Sequence, residues 1–155
     1  MRGFSMLMGG RKQNRMREKE KKMLFKKREI TSFETLYFKI SAMRYMHEYE
    51  IIADDKEARL LFYENAWRDE ERAPLKQVLC DKHEILHLLN DCDVIRWNGF
   101  FGKHPRNVSD GEMFLFTALV NDGEKIRAEG SENFPKHYSE LKKGLRELLD
   151  REEKK

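Results

Sequence analysis

The chain has 155 residues, 39% hydrophobic and 11% aromatic, which is the size and apolar content of one ordinary domain with its own core. Charged residues make up 38% yet cancel to a net +3, and no run nears the roughly 20 apolar residues of a membrane-spanning helix. Two cysteines, Cys80 and Cys92, are too few for a disulfide scaffold and fit a reducing compartment, so a cytoplasmic protein is expected.

The near-neutral total hides an asymmetry. Residues 1–29 hold five Arg and six Lys against three Glu, a net of +8, so the total of +3 leaves −5 for residues 30–155. The expected organisation is therefore a basic N-terminal arm, 1–29, helical or disordered, on a single α+β domain, 30–155. The short apolar stretch Gly3–Gly10 is followed by the Lys/Arg run instead of being preceded by it, the wrong order for a secretory signal. From Arg11 to Arg28 the residues are good helix formers, and only Met16, Met23, Leu24 and Phe25 are apolar. Arg11, Lys12, Arg15, Arg17, Lys21, Lys22, Lys26, Lys27 and Arg28 are candidate contacts to nucleic acid or another anionic surface, where so dense a charge gains affinity by releasing counterions. The competing readings are a solvated tail and a translation start at Met16 or Met23.

The body begins near Phe33. Leu36, Phe38 and Ile40 alternate with polar residues; after a shift at Ala42 the alternation resumes through Met43, Tyr45, His47, Tyr49 and Ile51, the period of a half-buried strand or a bent pair of strands. Asp54-Asp55-Lys56 turns the chain, Ala58–Tyr63 returns as a strand, Trp67 closes the apolar run, and 68–72 is a charged loop. A short strand over Pro74–Cys80 belongs at an edge, where proline is tolerated. This part predicts an antiparallel meander.

Asp81–Asp93 predicts a helix, with Asp81 and Glu84 in capping-box positions and Ile85, Leu86, Leu88, Leu89 and Cys92 on the apolar side. It contains His83-Glu84-Ile85-Leu86-His87, a match to H-E-x-x-H, in which two histidines one turn apart hold zinc and the glutamate is the general base. At about 100° per residue the apolar side centres opposite both imidazoles, which therefore point outward. His87 is followed by Leu-Leu-Asn-Asp-Cys, without the third histidine of an extended motif, and nothing singles out Glu140 or Glu147 as a later ligand. The pair reads as surface histidines. Zinc held by His83 and His87 with Glu84 as base is the alternative.

The second half is better punctuated. Ser109-Asp110-Gly111 turns into a strand over Glu112–Val120, apolar on both faces and so placed centrally; Asn121-Asp122-Gly123 is a tight hairpin signal, and Lys125–Gly130 returns with Ile126 and Ala128 inward. Phe134-Pro135 leads into a closing helix, about 136–152, striped by Tyr138, Leu141, Leu145, Leu148 and Leu149 and capped by Asn133 or Ser131. Gly144 inside that helix costs about 1 kcal/mol against alanine, which implies close packing against the sheet. The expected fold is a mainly antiparallel sheet of four to five strands with two helices on one face.

Trp97-Asn98-Gly99-Phe100, Asp110-Gly111, Asp122-Gly123, Gly130, Phe134-Pro135 and Tyr138 together resemble a family of small uncharacterised bacterial α+β domains, well over 95–149 and loosely over 33–149. The resemblance implies turns and packing positions and no assigned activity. No G-K-[ST] phosphate loop and no G-x-S-x-G elbow occurs. His47, His104 and His137 stand alone and read as structural; Asp110 and Glu112 could pair, though an aspartate before glycine is more simply a turn residue. The expected function is a non-enzymatic binding module without a cofactor, acting through the arm or the Trp97–Arg106 loop. The alternatives are a zinc-dependent hydrolase and a regulator or inhibitor that docks a protein partner.

Overall fold

A computed structural model of the chain describes residues 28–66 and 72–151; Trp67, most of the charged loop after it and the bulk of the arm lie outside the described residues. Among the described residues seven strands form one sheet: β1 (Phe33–Ala42), β2 (Tyr45–Ala53), β3 (Glu57–Glu64), β4 (Lys76–Asp81), β5 (Phe101–Gly102), β6 (Met113–Val120) and β7 (Glu124–Ser131). Their order is β4-β3-β2-β1-β6-β7-β5. The helices are α1 (Lys82–Asp91) and α2 (Tyr138–Asp150), with a single 3-10 turn at Val94–Trp97. The fold is α+β. The sheet exceeds the four or five strands expected, and it is mixed, because β5 runs parallel to β7 while every other pair is antiparallel.

One of the additional strands, β5, has a local cause. Two residues carry no readable period, and β5 exists because the preceding loop delivers it to β7. Gly102 faces Gly130 across the parallel pair, and a Cβ on either would meet the Asn133 carbonyl oxygen, at 2.2 and 2.4 Å. Only glycine lets the chain before α2 cross there.

The shift at Ala42 is a hairpin, with Met43 and Arg44 between β1 and β2. Asp54 turns the next corner by accepting the Lys56 and Glu57 amides. The meander β1–β4 and the hairpin β6–β7 become one sheet through β1 against β6, where Phe38 faces Phe116. The middle strand of the sheet is thus β1, and β6 beside it lies inside the sheet, paired on both sides as expected.

Both helices pack on one face. Leu36, Phe38 and Ile40 of β1, Ile85 and Leu89 of α1, Phe114 and Phe116 of β6, and Tyr138, Leu141, Leu145 and Leu149 of α2 form one continuous core. Phe38 lies at its middle, its ring centroid 5.6–6.4 Å from those of Tyr49, Trp97, Phe114, Phe116 and Tyr138. Removing such a ring costs about 3–5 kcal/mol. Gly144 sits close to a neighbour, but that neighbour is α1 and not the sheet: a Cβ would come within 2.4 Å of a Leu88 methyl.

The cap of α2 also differs from expectation. Neither Asn133 nor Ser131 caps it; His137 is the cap residue in the left-handed region at φ 68°, and Pro135 precedes the helix, its carbonyl accepting the Tyr138 amide. The tight turn from Phe134 decides this, because its stacking on Tyr138, with centroids 4.3 Å apart, fixes where the helix can begin. The β6–β7 hairpin has three residues of positive φ, Asn121, Asp122 and Gly123. No helix among the described residues is long and apolar enough to cross a membrane.

Candidate functional site

The H-E-x-x-H helix forms where the sequence places it. Asp81 caps α1, accepting the His83 amide at 2.8 Å, and Ile85 and Leu89 are buried against the sheet. His83 and His87 are exposed. Glu84 does not reach back to close a capping box; it takes both arms of the Arg151 guanidinium at 3.0 and 2.6 Å. Those bonds hold its carboxyl below the usual range, which weakens it as a proton acceptor. Among the described residues no three His, Cys, Asp or Glu side chains gather as a metal site. Cys92 is buried with α1, and that burial pushes its thiol up to about 11.

The arm joins the body through a fastened segment. Asn90 of α1 accepts the Ile30 amide at 2.9 Å and donates to the Ile30 carbonyl at 3.0 Å. Asn121 accepts from Thr31 and donates to the Glu29 carbonyl. Arg28 forms two hydrogen bonds to Glu124, at 2.8 and 2.9 Å. Of the candidate phosphate contacts, Arg28 is thus engaged by the body; the other eight, Arg11 to Lys27, lie outside the described residues.

The Trp97–Arg106 loop divides in two. Trp97 is core, its indole N–H donating to the Lys136 carbonyl at 3.1 Å. Asn98 and Gly99 cover the edge of β7: the Asn98 side chain accepts the Arg127 amide, the Gly99 amide donates to the Arg127 carbonyl, and Gly99 takes φ +85° to do so. Covering an edge strand blocks pairing with other chains, so this motif protects the fold. Phe101, in contrast, is 71% exposed, and Met113, at 54%, lines the same groove of about 400 Å³. His104 bridges Ser131 and the Val108 carbonyl in that groove.

Two carboxylate clusters escaped the sequence reading. Glu112 does not pair with Asp110, which is exposed in its turn; it accepts from the Tyr45 and Tyr138 hydroxyls and from Lys142 at 3.0 Å to each oxygen. Burial pushes this carboxyl up, but the donors outweigh burial and hold it below the usual range. Burial and that carboxylate push Tyr45 up to about 12 and Tyr138 higher. His47 stands nearby between Tyr45 and Phe62, its basicity lowered by burial and then by Arg146.

Glu48 lies on the opposite face of the sheet and is 2% exposed. One oxygen accepts from Tyr37 and, at 3.2 Å, from Arg72, whose guanidinium stacks on Tyr63; the other has no hydrogen-bond partner among the described residues. Glu48, between His47 and Tyr49 on β2, has no sequence signal for burial, since Arg72 reaches it from the β3–β4 connection. No family model, no curated protein and no solved structure matches the chain.

Proposed function

We propose that this protein is a non-enzymatic binding module whose basic arm contacts nucleic-acid phosphate, with the α+β body as its carrier. The observation that carries the reading is the concentration of +8 in residues 1–29 on a body of −5, joined at the fastened segment 28–32. Contacts of this kind position and attract without reading bases, so binding is sequence-indifferent and steep in salt. Two facts about the body fit the same reading. Glu84 is held by Arg151, and Glu112 is saturated by four donor contacts, so the two best-placed carboxylates are engaged in holding the fold.

The test is oligonucleotide anisotropy across a salt series. Replacing the nine Lys and Arg residues from Arg11 to Lys27 by Gln in the full chain is expected to abolish the salt slope and weaken binding at least about 100-fold, since each phosphate contact contributes about 0.7–0.9 to that slope. Unchanged affinity in that variant overturns the proposal. A second reading, a regulator that docks a protein partner, is favoured by one feature, the exposed Phe101 and Met113 beside the His104 groove. Phe101→Ser/Met113→Ser leaves oligonucleotide binding intact if the arm alone acts.

A further inference from the structure

Between α1 and α2 runs a groove of about 400 Å³ with Leu88, Gly144 and Leu148 on its floor. Glu84, His87, Asp91, Glu147 and Arg151 complete its lining. Three carboxylates face one guanidinium there, and that guanidinium is taken by Glu84. Among the described residues Glu147 has only Lys143 at 4.0 Å, a pair exposed on both sides and weak for that reason. Asp91 has no ion pair among the described residues. The H-E-x-x-H helix thus contributes one acidic wall, with an apolar strip beneath.

The arm starts on the same helix as this wall, from its other flank. Asn90, which clamps Ile30 through two hydrogen bonds, stands about 100° round α1 from Asp91 and does not line the groove. Residues 1–27 reach about 40 Å even as a helix, against about 20 Å for α2, so the arm is long enough to lie along the groove. Its composition complements the site: Lys and Arg for the carboxylates, and Met16, Met23, Leu24 and Phe25 for the apolar floor. Tethering supplies an effective concentration in the millimolar range, so weak contacts suffice.

We infer that residues 11–27 dock in the α1–α2 groove of their own chain, and that an anionic polymer must displace them. The displacement step rests on the proposed nucleic-acid function; the docking does not. In the docked state the arm is shielded and the acidic body is neutralised. Raising salt weakens docking and phosphate binding together, because both are screened over the same distance.

The test uses the full chain with a spin label at Asn14→Cys, introduced under native conditions in which the buried Cys80 and Cys92 are protected. At low salt the amides of residues 84–91 and 144–151 are expected to broaden, and to recover near 1 M salt, where the screening length is about 3 Å. Asp91→Asn/Glu147→Gln should abolish the broadening and tighten oligonucleotide binding about 3- to 10-fold. Glu34→Gln/Glu57→Gln, an equal change in net charge on exposed residues away from the groove, should do neither. Broadening elsewhere, no broadening, or broadening only between separately labelled copies overturns the inference. Groove broadening with oligonucleotide affinity indifferent to the Gln-substituted arm would leave docking standing and remove the nucleic-acid reading.

Discussion

Two carboxylates on opposite faces of the sheet, both tied to tyrosine and a cation, differ in how fully they are satisfied. Glu112, on the helix side, receives two hydroxyls and an ammonium that bonds both of its oxygens. Glu48, on the other side, receives Tyr37 and Arg72 on one oxygen and leaves the second without a partner among the described residues. The first joins β2, the start of β6 and α2, and one of its donors, the Tyr138 hydroxyl, is buried, while Lys142 is partly exposed. The second is more deeply buried yet less bonded, and Arg72 can turn to water. Burial alone therefore does not rank the two; the number of partners stranded by removal does.

The largest expected effect follows directly. Glu112→Ala strands the Tyr138 and Tyr45 hydroxyls and releases a partly exposed Lys142, and is expected to cost about 3 kcal/mol in urea unfolding. Glu48→Ala strands only Tyr37 and a partly exposed Arg72 and should cost about 1 kcal/mol; equal losses at the two sites would break the contrast. Deleting single donors should preserve the order at smaller scale, with Tyr138→Phe costing about 1–1.5 kcal/mol and Tyr37→Phe about 0.5–1 kcal/mol.

The pH dependence sharpens the contrast further. Tyr45 and Tyr37 are both raised to about 12, so the stability they supply is whole below pH 10 and is lost as pH rises through 12. Denaturant midpoints across that window should fall less in Tyr45→Phe than in the parent chain. Glu112 is lowered, so its contribution is present above the ordinary glutamate range and is lost as pH falls through the lowered value. Glu112→Gln should therefore flatten the acid limb of the stability curve. An unchanged acid limb would show that Glu112 is not a source of the acid sensitivity.

Much of the fold was legible because some signals are local. Asp81 announces the cap of α1, and the helical period converts the positions of His83, His87, Ile85 and Leu89 into outward and inward directions. The near-continuous apolar run from Met113 to Val120, bounded by turn residues, gives β6, and Asn121-Asp122-Gly123 gives its turn. The Tyr138, Leu141, Leu145 and Leu149 stripe gives α2. What failed depended on residues far apart in the chain. Gly144 could announce close packing but not its neighbour Leu88, and the hydroxyls on Glu112 come from Tyr45 and Tyr138. The Trp97-Asn98-Gly99-Phe100 motif was visible, while its task, covering the β7 edge at Arg127, was not.

By itself the sequence determined the local elements, the direction of the α1 histidines and the charge difference between arm and body, since each follows from neighbours within about one helical turn or from composition. Tertiary structure alone decided that β1 pairs with β6 to unite meander and hairpin, that β5 runs parallel, and that Glu112 is saturated while Glu48 is not. The physical reason is range: hydrogen bonds between groups separated by tens of residues are selected by the packing of the whole core around Phe38, and no local period records them.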